Sequence, residues 1–219
     1  MDARFVSLGT LAAALLVAST GSADAPKAAP ARAKVAAASS ARVAHVAAST
    51  VFGGARPSKP SLEGLIYLVP EGTSRLPDFA ALTPVGQLFT TTLDVTPRRF
   101  EAGFPGVSNR FEWFAIDYRG TFRVAEAGPY WFRLTADDGA RLLVDGELVI
   151  DDDGVHPPKT VERARNLTGG EHRVEVQYFQ GPRFEIALVL EVSLGDEPYH
   201  LFRSDTPLGA APPPSTHAR

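Results

Sequence analysis

The sequence predicts an all-β fold: an antiparallel sandwich or barrel-like domain. Three observations lead there. Apolar and polar residues alternate over many short runs, as they do when one face of a strand meets a core and the other meets water. Gly, Pro and Asp-Gly pairs punctuate those runs. Between residues 61 and 203 no stretch shows the apolar spacing of an amphipathic helix.

The strand signals come in order. "GLIYLV" (64–69) is followed by "RFEWFAIDYRG" (110–120), "TFRVAEAG" (121–128) and "PYWFRLTA" (129–136). Then come "ARLLVDG" (140–146), "ELVID" (147–151), "HRVEVQYF" (172–179) and "FEIALVLEV" (184–192). Phe114, Ile116 and Tyr118 share one face, as do Val174, Val176 and Tyr178; Phe184, Ile186, Leu188 and Leu190 form a third stripe. Turns are expected at Gly120, Gly128-Pro129, Asp138-Gly139, Asp145-Gly146, Gly169-Gly170 and Gly181-Pro182.

The chain has 219 residues, enough for one sizeable domain. It contains no cysteine, which excludes disulfides, thiolate zinc sites and cysteine nucleophiles. Charge is unevenly spread. Residues 24–60 hold six Lys or Arg against one acid, whereas residues 61–203 hold 14 basic against 22 acidic residues. An acidic globule on a basic tether is a poor partner for nucleic acid, whose affinity rests on cationic contacts to phosphate.

Residues 1–23 read as a secretory signal: Arg4 precedes a short apolar core from Leu8 to Ala18, and small residues follow at Gly21, Ser22 and Ala23. That apolar run is shorter than the ~20 residues a membrane helix needs, so no span is expected in the mature chain. An uncleaved anchor is the alternative. The predicted destination is secretion, or the periplasm and cell envelope. Residues 24–60 are rich in Ala, Pro and Lys and poor in large apolar groups, the composition of a disordered linker. Residues 61–203 form the predicted domain, and 204–219 read as a disordered tail.

The segment "GPYWFRLTADDGARLLVDGELVID" resembles the central signature of the PA-14 domain, the N-terminal type domain of anthrax protective antigen. "GGEHRVEVQYFQ" is similar to the closing element of that family, "GLIYLV" to its opening strand, and "FAIDYRGTFRV" to the strand pair before the signature. The resemblance spans about Leu62 to Ser193. It implies an antiparallel β-sandwich that recurs in secreted glycosidases, toxins and adhesins. In several members it implies carbohydrate binding through Ca2+, held by two consecutive aspartates joined by a cis peptide and by a later loop. Carried onto this chain, the aspartates are Asp137 and Asp138, and Gln180 in "YFQGPRF" stands where an asparagine is usual.

The residues themselves allow that chemistry. Neighbouring side chains on a regular strand point to opposite faces, so Asp137 and Asp138 converge only at a corner. Two ionised carboxylates brought together repel unless a cation lies between them, and calcium accepts oxygen ligands in irregular geometry. Gly139 supplies the backbone freedom that such a corner demands. The structural alternative is an Asp-Gly hairpin in which the aspartates cap backbone amides. Arg183, Phe184 and Tyr178 are the candidate sugar contacts, since arginine forks onto hydroxyls and aromatic rings offer a platform.

Asp151, Asp152 and Asp153 are expected to form a solvated loop, with ion binding the alternative. Val149 and Thr160 stand where a helix–loop–helix calcium site needs its first and last ligands. Asn166-Leu167-Thr168 matches a glycosylation sequon. His156, His172 and His200 have no metal-ligand spacing and no nucleophile elbow accompanies them, so the chain is expected not to be an enzyme. The expected function is therefore a secreted, lectin-like module that binds a glycan with calcium. A metal-free module that binds a protein partner is the alternative, and a glycosidase is the third reading.

Overall fold

A computed structural model describes residues 61–105, 107 and 112–210. The signal segment, the linker and the end of the tail lie outside the described residues. The strands are β1 (Leu62–Leu68), β2 (Gly86–Thr90), β3 (Asp94–Arg99), β4 (Phe114–Val124), β5 (Gly128–Asp137) and β6 (Ala140–Val144). They continue with β7 (Glu147–Asp152), β8 (Lys159–Leu167), β9 (Gly170–Gln180), β10 (Glu185–Leu194) and β11 (His200–Leu201).

They form two antiparallel sheets, as the alternation predicts. The first has the order β2-β1-β4-β9-β6-β7, and the second β11-β10-β5-β8, with β3 also pairing β10. Alternate side chains of the long central strands fill the space between the sheets. Phe114, Ile116 and Phe122 of β4, Phe132 and Leu134 of β5, Val176 and Tyr178 of β9, and Leu188 and Leu190 of β10 are all buried there. Each such side chain contributes about 1.5–3 kcal/mol on leaving water. A second cluster of Tyr67, Val69, Phe79, Ala115 and Phe179 packs beyond the first sheet.

Several expectations change. The runs 110–120 and 121–128 are joined: β4 passes through Gly120 without turning. A Cβ at Gly120 would lie 2.8 Å from the Ser61 carbonyl oxygen and 2.9 Å from Leu62. The glycine therefore marks a close strand approach, not a turn. Strands β2, β3, β8 and the short β11 lie where no strand signal was read. The tail starts later than composition suggests, because Leu208 is buried, bridges Val124 and exchanges hydrogen bonds with Arg123 and Ala125. The acidic run is not a solvated loop. Asp151 and Asp152 belong to β7; Asp152 is buried beside Lys159, and Asp153 pairs with Arg141 and accepts from the Leu76 amide.

His172 on β9 clamps the Asp145-Gly146 turn. One ring nitrogen lies 2.7 Å from Asp145 Oδ2 and the other 2.8 Å from the Thr168 carbonyl oxygen. Two acceptors require both nitrogens to carry protons, so the imidazolium is the form that fits. Burial alone would lower the His172 pKa, and Arg165 also opposes the charge, yet the bonds to Asp145 and Thr168 outweigh both and raise it. The Asp145 carboxyl is correspondingly lowered. Because the folded pKa exceeds the unfolded value of about 6.5, this stabilisation is complete below that pH and is lost as pH rises through the folded value. His172→Ala should lose about 1.5–3 kcal/mol at pH 6 and less at pH 9, read from urea unfolding at the two pH values.

Candidate functional site

The corner that joins the sheets carries the aspartates. β5 belongs to the second sheet and β6 to the first, and the chain crosses between them at Asp137-Asp138-Gly139. The Asp137–Asp138 peptide bond is cis. Burial is continuous through the crossing, with Asp137 and Asp138 each only 3% exposed. Gly139 is required here by space: a Cβ would lie 2.5 Å from the Phe179 ring and 2.7 Å from the Gly154 amide nitrogen.

Asp138 ties two loops to this corner. Its Oδ1 accepts from the His156 amide at 3.1 Å, and its Oδ2 from the Gly181 amide at 2.7 Å. Gln180, which is fully buried, holds its side-chain amide between the aspartates and the loop that follows β9. Its Nε2 lies 3.4 Å from Asp138 Oδ2, 3.1 Å from the Glu185 carbonyl oxygen and 3.5 Å from that of Pro182. The Tyr178 hydroxyl lies 2.6 Å from both the Asp137 carbonyl oxygen and Gln180 Oε1.

That last arrangement is a puzzle with two solutions. A hydroxyl has one hydrogen, so it serves only one of two oxygen neighbours. If the Gln180 amide turns over, Nε2 donates to the Tyr178 oxygen and the hydroxyl donates to the Asp137 carbonyl. The amide oxygen then faces Asp138 Oδ2 and the carbonyls of Pro182 and Glu185. Oxygens converging without a hydrogen between them repel; a hard cation among them turns repulsion into coordination. In the first orientation the glutamine amide itself plays the electropositive part.

The electrostatics agree with a corner short of positive charge. Burial pushes the Asp137 carboxyl up to about 7; the neighbouring Asp138 charge adds to this, and a hydrogen bond from Gln180 opposes it. Burial also raises Asp138, against the amides of Gly181 and His156. Among the described residues no group of three or more His, Cys, Asp or Glu is placed to hold a metal. Any ion here would depend on two carboxylates supplemented by neutral oxygens.

The sugar candidates fall into two groups. Phe184, 76% exposed, stands at the rim of this loop. Arg183 is also exposed, stacks over Phe100 at 4.8 Å and reaches Glu112 at 3.2 Å. Tyr178 is different. It is fully buried and stacks on Phe104 at 5.1 Å, so no ring surface remains for a ligand to cover. Its work is to orient Gln180. Sequence reasoning missed the backbone groups of His156, Gly181, Pro182 and Glu185; their only signals were the glycine- and proline-marked turns.

The two antiparallel sheets, joined at a buried acidic corner, make an all-β sandwich module. The chain belongs to the PA14 domain family, whose model matches residues 89–202, just over half of the chain. Solved structures show the same fold. A PA14 sugar-binding domain from an RTX adhesin is 24% identical with a TM-score of 0.54, over 67% of this chain and 97% of that one. The PA14 domain of the antifreeze protein MpAFP is 17% identical with a TM-score of 0.52, over 70% and 92%. An anti-sigma factor domain-containing protein is 20% identical with a TM-score of 0.53, over 70% of this chain and 50% of that one. No curated protein matches the chain.

Gly139→Ala should force the corner away from Phe179 and Gly154, destabilising the domain by about 1–3 kcal/mol in urea unfolding. Asp138→Ala strands the buried amides of Gly181 and His156 and should lower stability by about 2–4 kcal/mol. A loss below half a kcal/mol in either variant would contradict this description.

Proposed function

We propose that the chain is a secreted, non-catalytic module that binds a glycan at the cell envelope or outside it, and that calcium assists binding at the Asp137–Asp138 corner. The observation that carries this reading is the convergence of two buried carboxylates, the Gln180 amide and the carbonyls of Pro182 and Glu185. That set supplies oxygen donors once the amide is turned. Bound calcium would neutralise the paired carboxylates and offer open coordination positions to vicinal hydroxyls. Asp137, Asp138 and Gln180 would hold it. Phe184 offers the apolar face of a sugar a ring to lie against, and Arg183 offers donors to its hydroxyls.

Family membership supports the reading, as does the shared fold with a PA14 sugar-binding domain of an adhesin. Export would rest on residues 1–23. Among the described residues no helix is long and apolar enough to cross a membrane.

A second reading has its own observation. Asp138 already accepts two backbone amides, so the corner has a structural task that needs no ion. In that case the domain would be an interaction or structural module, with a protein as partner.

Calcium separates the two. At a concentration one hundred times Kd, a bound ion adds about 2.7 kcal/mol to stability and raises Tm by several degrees. Asp137→Asn should abolish the rise. A glycan array should show binding that a chelator removes, and Phe184→Ala should weaken it roughly tenfold with an unchanged Tm. An unchanged Tm at millimolar calcium, with glycan binding indifferent to chelator, would favour the metal-free module. Turnover of any glycoside would sink the non-catalytic claim.

A further inference from the structure

The outer face of the second sheet carries a different surface. Outward residues of β5 and its neighbours lie in register across three strands. In the central row Glu191, Arg133 and Glu162 stand side by side. Arg133 is held by a two-pronged bond to Glu191, with both contacts at 2.7 Å, and its guanidinium lies 4.1 Å over the Tyr199 ring. On the other side Glu162 lies 3.9 Å from the same guanidinium. These planar groups are locked before any ligand arrives.

The rows on either side are built for contact. Trp131 is 40% exposed, and its cross-strand neighbours are Ser193 and Ala164, two of the smallest side chains. Ala164 is exposed, so the space on that flank of the indole is clear, whereas Ser193 on the other flank is buried. In the third row the hydroxyls of Thr135 and Thr160 meet at 2.8 Å. Two shallow recesses of about 590 and 340 Å³ share Glu162 and together cover all three rows. From Trp131 to Thr135 the strand advances about 13 Å, enough for a short chain of rings and not for one ring alone.

We propose that this face is a second binding groove, independent of the Asp137–Asp138 corner, and that it takes an uncharged oligosaccharide lying along β5. A partly exposed ring with one open flank suits the C–H face of a sugar. Pre-aligned carboxylates and paired hydroxyls suit its hydroxyl groups. Charge narrows the class. Glu162, Glu191 and Asp94 border the groove against one arginine that Glu191 already engages, so acidic polysaccharides are repelled. Along the same strand the groove's far end at Trp131 lies about 20 Å from the corner and its near end at Thr135 about 7 Å, but the groove occupies the outer face of the sheet whereas Asp137 and Asp138 are buried, so the two sites are separable.

The test uses the full chain and its intrinsic fluorescence, titrated with galactomannan, laminarin and mixed-linkage β-glucan. Alginate and a peptide of residues 24–60 serve as controls. At least one uncharged polymer should shift the emission saturably. Trp131→Ala should weaken binding roughly tenfold in affinity electrophoresis, as should Ala164→Arg, which blocks the flank of the indole. Ala164 is exposed, so Ala164→Arg should leave Tm unchanged. EDTA should leave this binding intact, which separates its failure from failure of the calcium site. The proposal is overturned if no uncharged polymer binds, if both variants bind like the original, or if chelation removes the binding. Preference for alginate or for the basic peptide would overturn it as well.

Discussion

The fold turns on burying the Asp138 carboxylate where the chain crosses from one sheet to the other. A charge withdrawn from water is costly unless hydrogen bonds replace the lost hydration. Here the replacements come from far along the chain, from the amides of His156 and Gly181. One side chain thereby fixes the loop after β7, the loop after β9 and the β5–β6 crossing relative to each other. Gly139 makes this possible by letting Phe179 and Gly154 come within contact of the corner. Asp137 has no comparable set of backbone donors, and burial together with the neighbouring Asp138 charge raises its pKa. The corner is therefore satisfied on one side and wanting on the other.

This asymmetry explains why one residue pair supports both a structural and a binding account. Asp138 alone would stabilise the crossing. A second acid beside it is unfavourable unless something positive arrives, and Gln180 is positioned to present either its nitrogen or its oxygen to the same space. Tyr178 and its single hydroxyl hydrogen couple that choice to the Asp137 carbonyl. Packing, hydrogen bonding and ligand chemistry thus meet in four residues contributed by β5 and β9 and the turn that joins β5 to β6.

Much of this was readable from the amino acids. The alternation in β4, β5, β9 and β10 defined the sandwich, and the Asp-Gly pairs marked both the corner and the His172 turn. The strands that were missed lack such a pattern. β8, "KTVERARNL", is a charged sheet edge with little to bury on either face, and β3 carries Pro97, which only an edge tolerates. Gly120 read as a turn because glycine signals both bends and close approaches, and only the neighbouring strand tells them apart. At the site the acids were visible, whereas the backbone groups of His156, Gly181, Pro182 and Glu185 were not, because every residue carries them. Asp152 and Asp153 looked solvated for a related reason: their partners Lys159, Arg141 and Leu76 are brought in by the fold.

Terbium luminescence is the most direct check on the corner, since a lanthanide takes the same oxygen ligands as calcium and emits when a nearby indole is excited. Trp113 bonds through its amide to the Gln180 carbonyl and so stands close enough to serve as donor. Sensitised emission should appear in the original protein, fall as calcium is added, and vanish when Asp137 is replaced by asparagine. Emission that is absent from the start, or that survives this replacement, would show that the paired acids hold no ion.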